Sequence, residues 1–159
     1  MESPGIFQGA QRHHRKILQL IDAQLEEHAI DVNAKELSEA IGDILNDSSR
    51  GIFLLAGNSH HTIGVAYLSF IFSLEHPGKC AWLEELYVIP EFRGQGIGGL
   101  LIDAALRTAR QYNCSAIDLE VEKNHARVEN LYRRKGFSPL SRTRWHIVLG
   151  MDGEEDHSG

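Results

Sequence analysis

A strand that stops at a proline and passes through a glycine-rich turn into a helix constrains this chain more than any other feature. In Val88-Ile-Pro-Glu-Phe-Arg-Gly-Gln-Gly-Ile-Gly-Gly-Leu100, the turn delivers Arg93, Gly94, Gly96, Gly98 and Gly99 to the start of an apolar helical pattern. Glycine removes the Cβ atom and permits positive φ, so the backbone can come close to a ligand. The first N–H groups of the helix lack partners and carry the positive end of its dipole, which suits a diphosphate. Arg93 adds a forked donor. One glycine would serve to tighten a turn for packing, whereas four in six residues behind an arginine point to a ligand. Gly94-x-Gly96-x-x-Gly99 also fits the dinucleotide fingerprint G-x-G-x-x-G, with Asp118 and Glu120 about twenty residues on. That fold normally begins with this strand and continues through several more parallel strands, and the order of elements here does not suit it.

The rest of the pattern predicts one α/β domain over residues 1–149. Ile17, Ile21 and Leu25 mark an amphipathic helix over 12–28. Asn33 and Glu36 have capping-box spacing ahead of a second helix. Gly51–Ala56 and Thr62–Phe72 read as strands of a hairpin, and Cys80–Ile89 as a third strand ending at Pro90. Helix 96–112, a strand from Ile117 to Val121, helix 124–135 ending at Gly136, and a last strand Arg142–Leu149 follow. Strand, turn, helix and strand over 82–121 form a βαβ unit with parallel pairing. The expected order is α-α-β-β-β-α-β-α-β around one mixed central sheet with helices on both faces.

Charge narrows the partners. The 159 residues carry a net charge of −6, but Asp152, Glu154, Glu155 and Asp156 lie at the end, leaving eighteen acids against sixteen bases before them. Residues 150–159 are expected to form a disordered acidic tail. No basic cluster suggests nucleic acid, and no apolar run approaches the roughly 20 residues of a membrane span. The start lacks a secretory pattern, and two cysteines, Cys80 and Cys114, make no disulfide framework, which together indicate a cytoplasmic protein. Both cysteines read as small buried hydrophobes, and Trp82 and Trp145 as packing anchors. His13–His14 and His60–His61 lack metal-ligand spacing, so no metal site is expected.

Arg93, Gly96 and Gly98 form Arg-x-x-Gly-x-Gly, which resembles motif A of the GNAT superfamily of N-acetyltransferases. The stretch LEELYVIPEFRGQGIG resembles that family's fourth strand, loop and helix start, and Leu131-Tyr-Arg-Arg-Lys-Gly-Phe137 is similar to its later LYxxxGF signature. Residues 50–149 follow the family's order and spacing. Two departures stand out. The family usually opens with a strand, for which residues 1–11 offer only the weak candidate Gly5–Gln8. Its asparagine seven residues before the LY tyrosine falls here on His125, with Asn124 one place away.

The resemblance implies acetyl-CoA as cosubstrate and a small-molecule amine as acceptor. The backbones of Leu86, Tyr87 and Val88 would pair with the pantetheine arm where the family bulges and splays this strand, with Val88 N–H as oxyanion donor. Arg93, Gly94, Gln95, Gly96, Ile97, Gly98, Gly99 and Asn124 would hold the rest of the cofactor, and Pro90 and Phe92 would shape the loop. Lys123, Arg127, Arg133 and Arg134 flank the fourth helix, either near its phosphates or as a solvated face. Acetyl transfer requires an amine freed of its proton, donors for an oxyanion and an acid near the leaving thiolate. Tyr132 of the LYxxxGF stretch is the candidate acid. Similarity to spermidine/spermine-type enzymes suggests a polyamine or another small cationic amine. It also favours Glu84 as the base or water-positioning group and Glu85 as the amine ligand. Strand alternation alone sends the two carboxylates to opposite faces without choosing between them. A non-catalytic acyl-CoA sensor is the alternative, and a strand at Arg142–Leu149 would suit a homodimer edge.

Overall fold

The computed structural model describes residues 4–58, 60–122 and 125–150. A five-stranded sheet in the order β1-β2-β3-β4-β5 forms its centre. The strands are β1 (Gly5–Gln8), β2 (Gly51–Gly57), β3 (Thr62–Ser73), β4 (Gly78–Val88) and β5 (Ile117–Leu119). The first three pairings are antiparallel, and β4 pairs with β5 in parallel. That parallel pair is the one the strand–turn–helix–strand pattern predicts.

Helices cover both faces. Helices α1 (His14–Glu27) and α2 (Ala34–Asn46) lie on one, α3 (Ile97–Gln111) and α4 (Ala126–Arg134) on the other. Under α1 and α2, Ile17, Leu20, Ile21 and Ile41 pack on Phe53, Leu55, Val65 and Tyr87. Under α3, Ile97, Leu101, Ile102 and Ala105 pack on Leu54, Ala66, Leu68 and Leu83, with Tyr132 of α4 in the same cluster. Strand β2 reads Gly-Ile-Phe-Leu-Leu-Ala-Gly without alternation because every residue is buried between two helical layers. Asn33 caps α2 as its sequence position predicts, its Oδ1 accepting from the amides of Lys35 and Glu36 at 3.0 and 3.1 Å.

Two sequence expectations require correction. The opening strand is present: Gly5–Gln8 pairs antiparallel with Leu54–Gly57. Four residues are too few to show a pattern, and the partner strand supplies the order. The last strand is not formed among the described residues. Residues 142–150 carry no ladder, and Trp145 is 89% exposed, so it anchors no packing among the described residues. Residues 151–159 and Asn124 lie outside the described residues, as does Lys123.

Candidate active site

The site begins with an extra residue in β4. Leu83 pairs with Leu68 and Glu85 pairs with Tyr67, so Glu84 has no partner and forms a bulge. Inserting one residue reverses the faces of everything after it. Before the bulge, Ala81 and Leu83 face α3. After it, Leu86 and Val88 do, while Tyr87 joins the α1 cluster. Glu85 shares the parity of Tyr87 and therefore lies on the α1 face. Glu84 is exposed.

The bulge also ends the pairing with β5. The β4–β5 ladder covers Ala81–Leu83 and goes no further. Ile89 N–H donates to Ile63 O at 2.9 Å, so Ile89 turns its polar groups toward β3. Alternation in an antiparallel ladder gives Tyr87 and Glu85 the same orientation and turns Leu86 and Val88 the other way. The backbone groups of Leu86 and Val88 thus lie along an edge without a partner strand among the described residues. Tyr87, expected with them, has its backbone committed to β3.

Beyond this edge, Pro90–Phe92 makes one turn of 3-10 helix before the glycine turn. Gly94 and Gly96 have φ of 77° and 82°, conformations that a side chain would strain. Gly96 caps α3, leaving the amides of Ile97, Gly98 and Gly99 without partners within the helix. A Cβ at Gly96 would meet no protein atom within 4 Å, so the turn faces open space. Gly98 and Gly99 differ: a Cβ there would meet Leu131 and Lys135 of the α4 side at 3.6–3.8 Å, ordinary contact distances. Packing against α4 therefore demands a glycine at neither position, whereas Gly94 and Gly96 are held to glycine by their positive φ. A Cβ at Gly94 would lie 3.6 Å from Arg127 Nη2, which places that guanidinium beside the turn.

Arg93, the forked donor expected at the turn, makes two contacts within the chain. Its Nε donates to Val88 O at 2.8 Å and its Nη2 to Glu27 Oε2 at 2.7 Å, with the guanidinium 5.4 Å from the Tyr87 ring centre. The hydrogen bond and charge of Arg93 hold the Glu27 carboxyl below its ordinary range. Arg93 therefore fastens the turn to the end of α1. No local pattern indicates this pair, because Glu27 lies 66 residues away.

The ionisable groups separate by face. Burial, and secondarily the Glu84 charge, push the Glu85 carboxyl up to about 7, with His28 acting in the opposite direction. Its cross-strand neighbour Tyr67 is pushed up to about 12, again by burial first and Glu84 second. On the α3 face, burial alone pushes Tyr132 up to about 12. Its ring meets Phe137 edge-on at 5.8 Å. His28 Nδ1, at the end of α1, lies 2.9 Å from Glu122 Oε1 beyond β5. Tyr67 and His28 escaped the sequence reading, since neither belongs to a motif and only folding brings them to Glu85. Among the described residues, no cluster of three metal-ligating side chains occurs. No helix in them is long and apolar enough to cross a membrane.

Glu84→Gln removes the like charge but leaves the burial. The Glu85 titration, followed by carboxyl-carbon NMR, should move down from about 7 while staying above the ordinary glutamate value. An unchanged midpoint would show that Glu84 does not act on it.

The chain is similar to known acetyltransferases in sequence and in fold. The chain is 32% identical over 92 residues to thialysine N-epsilon-acetyltransferase of Mus musculus, covering 58% of this chain and 54% of the relative. It is 43% identical over 76 residues to mycothiol acetyltransferase of Propionibacterium freudenreichii subsp. shermanii, covering 46% and 24%. The matches thus span about half of the first relative and a quarter of the second. Among solved structures, an aminoglycoside N-acetyltransferase in complex with CoA superposes with a TM-score of 0.79 at 18% identity, covering 93% of this chain and 97% of that one. A possible acetyltransferase from Clostridium difficile 630 gives 0.79 at 16%, covering 93% and 99%. These two likenesses concern the fold. The model of the acetyltransferase (GNAT) family matches residues 17–137, from α1 through the glycine turn to Phe137, and the chain belongs to that family.

Proposed function

We propose that this protein transfers an acetyl group from acetyl-CoA directly to a primary amine. One observation carries the reading: the open edge of Leu86 and Val88 leads into the unpartnered amides at the start of α3. An extended pantetheine arm can add to such an edge as a strand, with its diphosphate at the helix N-terminus. The backbone of Gly94, Gln95, Gly96, Ile97, Gly98 and Gly99 would form the cradle, with Arg127 beside it. Val88 O already accepts from Arg93, so its N–H is the free group of that residue and the candidate oxyanion donor.

The proposed reaction uses one residue from each face of the sheet. Glu85 takes a proton from the ammonium of the acceptor, directly or through water. The nitrogen lone pair attacks the thioester carbonyl carbon, Val88 N–H stabilises the oxyanion, and collapse breaks the C–S bond. With its carboxyl at about 7, Glu85 is half ionised near neutrality and a far better proton acceptor than an ordinary glutamate. This favours Glu85 as base, with exposed Glu84 attracting the cation, the reverse of the assignment drawn from the sequence resemblance. Tyr132 at about 12 remains protonated throughout. It is a weaker acid than a thiol near ~8.5, so full transfer to the thiolate is uphill by roughly 5 kcal/mol. Tyr132 therefore serves as a hydrogen-bond donor to the leaving sulfur, and the product thiol draws its proton from the departing amine proton or solvent.

The acidic pair Glu84–Glu85 suits a small cationic amine. Relatives named for thialysine, an aminoalkylphosphonate and an aminoglycoside support an amine acceptor, with a polyamine as one member of that class. A panel of such amines scored by acetyl-CoA consumption tests the reading. No turnover with any amine, together with tight CoA binding, would leave an acyl-CoA sensor instead.

For the best acceptor, kcat/KM should rise as pH passes through about 7, because the base works only when ionised. Glu85→Gln should remove that limb and lower kcat/KM by roughly 10²-fold. A retained limb would assign it to another group. Tyr132→Phe should lower kcat at least about tenfold while the Kd for CoA stays within about twofold. Unchanged turnover would exclude the tyrosine from the reaction.

A further inference from the structure

One buried polar atom on the sheet-facing side of α1 lacks a partner. Gln24 is 7% exposed, and its Oε1 accepts no hydrogen bond among the described residues. A buried carbonyl without a donor costs stability, and few native structures leave one without a reason. The neighbours of Gln24 on its helix make it stand out. Ile17, Leu20 and Ile21 precede it along the same stripe and pack on the sheet. A leucine or methionine at position 24 would continue that stripe with no orphaned atom.

The course of α1 places this atom. Near the helix start, a Cβ at Gly9 would lie 3.1 Å from both Ile17 Cδ1 and Phe53 Cβ, so Ile17 sits at β2. At the helix end, Glu27 holds Arg93, which bonds Val88 O of β4, and His28 reaches Glu122 beyond β5. Helix α1 therefore crosses the sheet from β2 to the split between β4 and β5. Gln24 lies one turn before His28, whose amide donates to the Gln24 carbonyl at 3.1 Å. His28 is near enough for its charge to act on the Glu85 carboxyl. The Gln24 side chain thus belongs to the stretch of α1 that roofs β4 where Glu85 faces it. Tyr67, the cross-strand neighbour of Glu85, is turned the other way. Its ring stacks on Phe53 at 4.8 Å, and its hydroxyl would lie 3.2 Å from a Cβ at Gly51, so it does not supply the missing donor.

We propose that Gln24 Oε1 binds the acceptor amine, taking a hydrogen bond from its reacting nitrogen while Glu85 holds a second N–H of the same nitrogen. The inference rests on the acetyl-transfer reading above and adds the residue that fixes the amine from the α1 side. A carbonyl accepts from the N–H of an ammonium and of a free amine alike, so the contact survives the loss of the proton to Glu85. Gln24→Met keeps the length of the side chain without its carbonyl. For the best acceptor of an amine panel that includes butane-1,4-diamine and n-butylamine, this variant should raise KM roughly 10- to 100-fold, the effect of losing a hydrogen bond to a charged partner. The Kd for CoA should stay within about twofold, and Tm should equal or exceed that of the parent, because the orphaned carbonyl is gone. At saturating CoA the same amine should raise Tm of the parent and leave that of the variant nearly unmoved, a readout that needs no turnover. An unchanged amine KM, in a parent that acetylates amines, would overturn this inference alone. A parent that neither acetylates any amine of the panel nor gains Tm from one would overturn the acetyl-transfer reading and this inference with it. A variant with lowered Tm and weakened binding of both CoA and amine would show Gln24 to be a packing residue only.

Discussion

The unpaired residue Glu84 is the constraint on which the site depends. Because Leu83 and Glu85 face consecutive residues of β3, the chain gains one residue at that point, and the two halves of β4 present opposite parity to the helices. The same insertion coincides with the end of the β5 ladder at Leu83. A regular strand would have continued the sheet, with no open edge for Leu86 and Val88. It would also have turned Glu85 toward α3, into the apolar cluster of Leu83, Leu101 and Tyr132. A single residue therefore creates an accessible backbone edge and moves a carboxylate to the face where α1 ends.

Electrostatics then distinguishes the two sides of that edge. On the α1 face a carboxylate is half-buried beside another carboxylate and a tyrosine, which raises its proton affinity into the physiological range. On the α3 face a buried tyrosine is kept neutral. The Arg93–Glu27 pair ties the glycine turn to α1, so the two faces share a common anchor at the end of β4. Both partners are nearly half exposed, and pairs of that kind contribute little to stability. Its consequence is positional: it holds the turn against the strand whose edge it extends.

Much of this was legible in the sequence where a local rule decides the outcome. The glycine turn, the Asn33 cap, the apolar stripes of α1 and α3 and the parallel β4–β5 pair each follow from spacing within one or two elements. What was lost depends on contacts between distant residues. Parity could not assign Glu84 and Glu85, because a bulge is invisible until the partner strand is known. The contact of Arg93 with Glu27 was hidden because that acceptor on α1 lies 66 residues away in the chain. Spacing makes the four glycines equivalent, yet Gly94 and Gly96 adopt positive φ while Gly98 and Gly99 lie within α3. The alternation of Arg142–Leu149 predicts a strand, and no ladder forms there among the described residues. Alternation records a preference for pairing and carries no information about the partner.

Amide hydrogen exchange at single-residue resolution addresses the open edge directly. In the free protein, Glu85 and Tyr87 amides, bonded to β3, should exchange slowly, and those of Leu86 and Val88 rapidly. Saturating CoA should slow Leu86 and Val88 toward their neighbours and protect Ile97, Gly98 and Gly99 at the start of α3. Slow exchange at Leu86 and Val88 without CoA, or no change when CoA is bound, would contradict a cofactor track built on the split in the sheet.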